Sequence, residues 1–227
     1  MKSVFIAVPC SDLVHAQFMS SLFRALNALS ANRITYAFSI IQGSSITKNR
    51  NEAVRLFLES GLDYLMFLDS DMKFPESTIL DLLKCEKDIV GATYRFHWRK
   101  SPEDSEYRLN HVELDGSEGN LRPKLKEPEV ADYTKNTAIF DDRLSHLEIE
   151  RTKEILRIGT GALLISKSVL KSMNKPWFQF FYEEGSAAEH GEDYYFCKKA
   201  RNAGFKVWLD ADLSKQIEHI GTYGYRI

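Results

Sequence analysis

Apolar positions along the chain fall into two alternating rhythms. Near the N-terminus "SVFIAVP" is a compact, β-branched run of strand length. "DLVHAQFMSSLFRALNALSA" follows with Leu13, Phe18, Leu22, Leu26 and Leu29 at roughly helical spacing. The pair then recurs. "RITYAFSII" reads as a strand, "TKNRNEAVRLFLES" as a helix closed by Gly61, and "DYLMFLD" as a strand. "PESTILDLLKCE" reads as a helix with Pro75 in its first turn, and "DIVGATY" as a further strand. Such alternation implies βαβ units, and hence an α/β domain with a central, mostly parallel sheet flanked by helices.

The rhythm breaks after Trp98. From Arg99 to about Arg157 the chain is charged and rich in turn residues, too long a stretch for a plain loop in a compact domain. It reads as an elaborated insertion, either a solvated excursion or a functional addition with short strands of its own. Order resumes with "ILRIGTGALLISKSVL", a strand over Gly159 to Ile165 and a short helix from Ser166. Then come "PWFQFFYEE", the helix "HGEDYYFCKKARNAG" capped by Gly204, the strand "KVWLDA" and the ending "KQIEHIGTYGYRI". No internal repeat and no Gly/Ser linker divides the sequence. A chain of 227 residues is within the reach of one core, so a single domain over 1–227 with an insertion at about 99–157 is expected.

Composition narrows the picture little. At 44% hydrophobic and 27% charged residues the chain has the balance of a folded globule. Thirty basic against 32 acidic residues leave no global field to draw in nucleic acid or a membrane, so an anionic ligand must be held locally. Cys10, Cys85 and Cys197 are odd in number and lack CxxC spacing, which suits reduced thiols and argues against a zinc cluster. "MKSVFIAVPC" is too short and too soon interrupted for a signal peptide, and no run approaches the roughly 18 apolar residues that cross a bilayer. A cytoplasmic protein is expected, in the host cytoplasm if the source is viral.

Chemistry concentrates at three places. In "DYLMFLDSDMKFP" an apolar strand ends in Asp69 and Asp71, where packing gains nothing from either charge. Ligands of open parallel sheets collect beyond the carboxyl ends of strands. Two carboxylates there make a hard-oxygen site suited to Mg²⁺ or Mn²⁺ with substrate phosphates completing the shell; a turn in which Asp71 caps the next helix is the plainer alternative. On the helix after "HGED", Phe196, Cys197, Ala200 and Ala203 form an apolar stripe, with Glu192 and Asp193 one turn earlier on the same face. Those acids either serve a site or complement the positive end of the helix dipole. His219, in "IEHIG", ends a short strand and is either a satisfied polar residue or an imidazole ligand for Mn²⁺.

Taken in order, "FLDSDMKFP", "GTGALLI", "GEDYYFCKKARNAGFKVWLD" and "HIG" resemble nucleotide-sugar glycosyltransferases of the GT-A fold, a Rossmann-like single-domain fold, and in particular family 2-like members of bacterial or viral type. The resemblance spans most of the chain outside Arg99 to Arg157. It implies a metal-dependent enzyme that moves a sugar from a nucleoside-diphosphate sugar donor to an acceptor hydroxyl, on a glycan, a protein or another molecule, by inversion. It further implies that Asp71 binds Mn²⁺ or Mg²⁺ directly, that Asp69 touches the ribose or a metal-bound water, and that His219 is the third ligand. By the same resemblance Asp193 is the catalytic base with Glu192 beside it. Arg50 and Asn51 stand at the nucleotide-side helix start, and Pro9 belongs to the loop bordering the base.

Two other readings compete. A sugar nucleotidyltransferase also binds nucleotide and metal on an α/β sheet, but it usually carries a Gly-rich, basic loop after the first strand, where this chain has "VPCSDLVHA". A non-catalytic GT-A-like binding module would have little use for intact Asp69, Asp71, Asp193 and His219. Trp177, Phe178 and Phe181 are candidates either for stacking on a sugar or for the core. "YRFHWRK", Tyr94 to Lys100, mixes basic and aromatic residues as a nucleic-acid contact does, although near-neutral charge argues against a nucleic-acid acceptor.

Overall fold

The computed structural model describes residues 2–94, 111–112, 151–182 and 189–220. The chain opens with β1 (Ser3–Cys10), α1 (Ala16–Ala31), β2 (Thr35–Gln42), α2 (Ile46–Ser60), β3 (Tyr64–Leu68), β4 (Met72–Lys73), α3 (Thr78–Lys84) and β5 (Ile89–Gly91). After the short β6 (His111–Val112) come β7 (Thr152–Ile155), β8 (Arg157–Ile158), β9 (Ala162–Ser166) and α4 (Lys167–Ser172). The hairpin strands β10 (Phe181–Tyr182) and β11 (Glu189–His190) precede α5 (Glu192–Asn202), β12 (Val207–Asp210), α6 (Ala211–Ser214) and β13 (Glu218–His219).

Seven strands form the main sheet in the order β2-β1-β3-β9-β5-β12-β7. β2, β1, β3, β5 and β12 run one way, while β9 and β7 run against them. The expected α/β class with a mostly parallel, helix-flanked sheet is thus observed. β9 is the departure: it lies between β3 and β5, antiparallel to both, with Ala162 opposite Leu68. Its direction places the Gly159 to Gly161 turn beside the carboxyl end of β3. The expected insertion also ends differently, since Thr152–Ile155 belongs to the main sheet as its edge strand against β12. Its residues 113–150, like all of "YRFHWRK" after Tyr94, lie outside the described residues.

Strand alternation divides the interior into two cores, one on each face. Leu65 and Phe67 of β3 join Val54 and Phe57 of α2 and Phe196 of α5. Met66 and Leu68 join Phe18 and Leu22 of α1 and Leu82 of α3 on the other face. α2 is punctuated as its sequence suggests: Ser45 accepts the Lys48 N–H at its start, and Gly61 closes it in the left-handed region at φ 77°. Leu13, counted with the α1 stripe on spacing, precedes the helix and is exposed, and Ala203 at the end of α5 is exposed as well. A central strand tolerates Pro9 because β1 pairs with β3 only as far as Ala7 opposite Phe67.

Candidate active site

The carboxyl ends of the parallel strands share one edge of the sheet, and side chains separated by up to 148 positions meet there. Asp69 is the first residue beyond β3. Its N–H donates to the Gly161 carbonyl at 3.1 Å, and its own carbonyl accepts the Met72 N–H, so the turn carrying both aspartates is tied to β9. Arg50, in the second turn of α2, fills the space behind it. Its Nη1 and Nη2 donate to the two Asp69 oxygens at 3.0 and 3.1 Å, and its Nε donates to Glu192 Oε1 at 2.9 Å. The guanidinium, only 4% exposed, lies 5.4 Å over the Phe67 ring. Burial works to lower its pKa, but the charges of Asp69 and Glu192 and their hydrogen bonds outweigh that and raise it. Arg50 is therefore a permanent cation keying two carboxylates from opposite ends of the sequence.

Asp193 follows Glu192 at the start of α5. It keeps a partial opening to solvent although protein crowds it closely, and its Oδ1 accepts the Tyr194 N–H at 2.7 Å. Burial, then the neighbouring Glu192 charge, push its carboxyl up to about 7; Arg50 and the Tyr194 bond resist, and Asp69 adds to the rise. A Cβ on Gly191 would stand 2.7 Å from Asp193 Oδ1, so a side chain there would push that carboxylate from its place.

Asp71 faces the other way. β13 pairs with β4, His219 opposite Met72, and the Ile220 N–H donates to the Asp71 carbonyl at 2.7 Å. That two-residue ladder brings His219 Nε2 to 3.2 Å from Asp71 Oδ2, both groups partly buried. Among the described residues no three His, Cys, Asp or Glu side chains gather as a metal site. One carboxylate and one imidazole fixed by the backbone on both sides nevertheless fit Mn²⁺ or Mg²⁺, which take few protein ligands and fill the rest of the shell with water and phosphate. Asp69 is placed differently from Asp71, with both its oxygens bound by Arg50.

Tyr94, three residues past β5, is singled out in the sequence only as the start of a basic and aromatic stretch, yet it stands between the Gly161 turn and His219. It is 6% exposed, its Oη accepts the Gly161 N–H at 3.1 Å, and its ring meets the His219 ring edge-on at 5.1 Å. Burial, then the charges of Asp69 and Asp193, raise its pKa well above the ordinary value, so it stays a phenol. Its position just beyond the carboxyl end of a strand was the available signal. Asn49 is the second residue that sequence reasoning passed over. Buried, it donates to the carbonyls of Gly43 at 2.8 Å and Cys10 at 3.3 Å, fastening together the loops that leave β1 and β2.

The remaining candidates take supporting positions. Pro9 lies near the end of β1, opposite Ile41, at the same sheet edge. Asn51 has both ends of its amide occupied: Nδ2 donates to the Thr47 and Phe178 carbonyls, and Oδ1 accepts from the N–H groups of Trp177 and Phe178. Trp177 and Phe178 are buried, Phe178 stacking on Phe196 at 4.9 Å and meeting Phe67 edge-on. Phe181 stacks on His190 at 5.1 Å in the hairpin that leads to Glu192. A cleft of about 620 Å³ between α2 and Lys175 to Phe180 contains none of the four carboxylates, and we assign it no part in the site.

Fold and site together define an α/β protein with an acidic, arginine-keyed centre at the carboxyl edge of its sheet. Among solved structures, A197 from STIV shares the fold, with a TM-score of 0.50 over 100% of this chain and 98% of that one at 16% identity. A mutant of the Drosophila β1,4-galactosyltransferase 7, in complex with manganese, UDP-Gal and xylobiose, aligns at a TM-score of 0.49 and 13% identity over 98% of this chain and 72% of its own. A glycosyltransferase involved in glycosylation of the PBCV-1 major capsid aligns at 0.33 and 14% identity, over 80% and 72%. No protein-family model and no curated protein matches the sequence.

Proposed function

We propose that the chain is a metal-dependent glycosyltransferase of the GT-A class, moving a sugar from a nucleoside-diphosphate sugar to an acceptor hydroxyl with inversion. The observation that carries this reading is the convergence of Asp193, pushed up to about 7, with the Asp69, Arg50 and Glu192 network at the sheet edge that also holds Asp71 and His219. A base poised near neutrality is matched to removing a hydroxyl proton. In the transfer step the acceptor oxygen forms its bond to the anomeric carbon as Asp193 takes its proton. The bond from that carbon to the diphosphate oxygen breaks, and its electron pair leaves with the nucleoside diphosphate.

Glu192 is held by Arg50 and acts by fixing the start of α5, so that Asp193 keeps its aim. Asp69, oriented by the guanidinium fork, offers its remaining lone pairs to the ribose. Asn51 supports the same region by holding the Trp177 to Phe178 backbone, and Pro9 borders the base. Asp71 and His219 would hold Mn²⁺ or Mg²⁺. Bound there, the ion supplies Lewis-acid stabilisation of the charge that builds on the leaving diphosphate. Tyr94, kept neutral, supports the Gly161 turn and the His219 ring at once.

Release of nucleoside diphosphate from a panel of nucleotide sugars, with and without Mn²⁺, tests the reading. A transferase slowly hydrolyses its donor without acceptor, so metal-dependent release with one donor is expected. Binding of that donor should weaken by one to two orders of magnitude in Asp71→Asn, and less in His219→Ala, which removes a neutral group. No release and no thermal stabilisation by any donor would overturn the assignment.

A further inference from the structure

β2 is the outermost strand on one side of the main sheet, hydrogen-bonded to β1 alone among the described residues. It is eight residues long, and "TYAFSIIQ" contains no charge and no proline. The opposite edge is built otherwise: β7 has four residues, among them Lys153 and Glu154, and Glu154 is ion-paired to Lys206 at 2.7 Å. Short length and charge are the usual means of keeping a sheet edge from pairing with another chain. β7 has both and β2 has neither.

The side chains point the same way. Phe38 and Ile40, two apart and so on one face, are 48% and 42% exposed. α1 packs over Val4, Ile6 and Val8 of β1 and Met66 and Leu68 of β3 on that face and reaches Tyr36 of β2, whose hydroxyl lies 3.3 Å from Ser30 Oγ, leaving Phe38 and Ile40 beyond its cover. Phe23 of α1 is 59% exposed. Three large apolar side chains thus stand bare within one β-α-β unit bordering an open row of backbone donors and acceptors.

We propose that this edge is a homodimer interface, with β2 of two copies pairing antiparallel about a two-fold axis to form one sheet continuous across both subunits. An occupant must supply an uncharged strand and an apolar row matching Phe38 and Ile40, and a second copy supplies both. Centred on Ser39, the self-pairing sets Phe38 against Ile40 of the second copy, Ile40 against its Phe38, and Tyr36 against its Gln42. Aromatic residues opposite β-branched ones are favourable cross-strand pairs, and no like charges face each other. The contact is isologous and closes at two. Antiparallel pairing turns the carboxyl edges of the two sheets in opposite directions, so neither candidate active site is covered.

Sedimentation velocity over a concentration series should show a reversible dimer for the parent, and a monomer at the same concentrations for Phe38→Lys and Ile40→Lys. Both sites are exposed, so the melting temperature should move by no more than a few degrees. Ser39→Cys probes the register itself: directly opposed residues of an antiparallel pair have Cα atoms roughly 4.5–5.5 Å apart, within disulfide range. Mild oxidation should therefore yield a cross-linked dimer, abolished when Phe38→Lys is added. A parent that stays monomeric, a dimer indifferent to both lysine substitutions, or β2 amides protected from exchange in a monomer would each overturn the proposal.

Discussion

At the scale of single residues, the site is governed by one buried cation among four carboxylates. Arg50 binds both oxygens of Asp69 and Oε1 of Glu192, and removing it would take from these two carboxylates the cation that holds them. Arg50→Met is expected to destabilise the fold by roughly 3–5 kcal/mol, the range for breaking a buried ion pair from one side. Glu192→Gln, which still accepts the Nε hydrogen, should cost far less; urea denaturation of the two variants measures the difference. Asp193 makes no ion pair with Arg50, and burial, then the neighbouring Glu192 charge, push its carboxyl up against the pull of that guanidinium. Asp193→Asn keeps its size but cannot take a proton, so transfer should fall roughly 10² to 10⁴-fold while donor binding barely changes. Single-turnover rates set against donor titrations separate the two effects. In the parent, transfer should rise with pH through about 7 as Asp193 loses its proton.

At the scale of elements, the antiparallel β9 does most to shape the site, because its N-terminal end delivers Gly161 to the edge where β3 ends. A Cβ on Gly161 would lie 2.6 Å from Tyr94 Oη and 2.7 Å from two of its ring carbons. Gly161→Ala must displace the Tyr94 ring from His219, and roughly 1–3 kcal/mol of stability should go with it, as in other overpacked sites. Tyr94→Leu in the same chain should restore part of that loss, and a double-mutant cycle on melting temperatures reads the coupling. β9 also marks where the sequence stopped being informative. "GALLI" announces a strand buried on both faces, but such a run looks alike in either direction, and only its neighbours β3 and β5 determine which. Asp69 and Asp71 stood out in the sequence because packing gains nothing from two charges at the end of an apolar strand, whereas His219 alone read equally as a satisfied polar residue, and only its pairing with Asp71 sets it at the same edge. The ion pair from Arg50 to Glu192 was not, since an arginine within "TKNRNEA" looks like any solvated helix residue until α5 is packed against it.

At the scale of the whole molecule, the carboxylate proposed as the base opposes folding once it ionises. The pKa of Asp193 rises from 3.8 to about 7 on folding, so the native state binds a proton more tightly than the unfolded chain does. The sign follows from linkage: the contribution is fully present below about 4, and stability falls as pH climbs from there through about 7, by at most roughly 1.4 kcal/mol per pH unit. Summed over the shift, the upper bound is about 4 kcal/mol. The thiols of Cys85 and Cys197, pushed up to about 11 and about 12, and the Tyr94 phenol all titrate above this window. Glu52 and Glu154, held low by Arg55 and Lys206, act below it and with the opposite sign. Thermal melts from pH 4 to 8 in the presence of EDTA should therefore show the parent losing stability towards pH 8 relative to Asp193→Asn. The two curves should lie close together near pH 4 and separate by several degrees at pH 8, with the less active variant the more stable. Curves that run parallel across the range would mean that Asp193 ionises as an ordinary surface carboxylate, and would remove its claim to be a base tuned to neutrality.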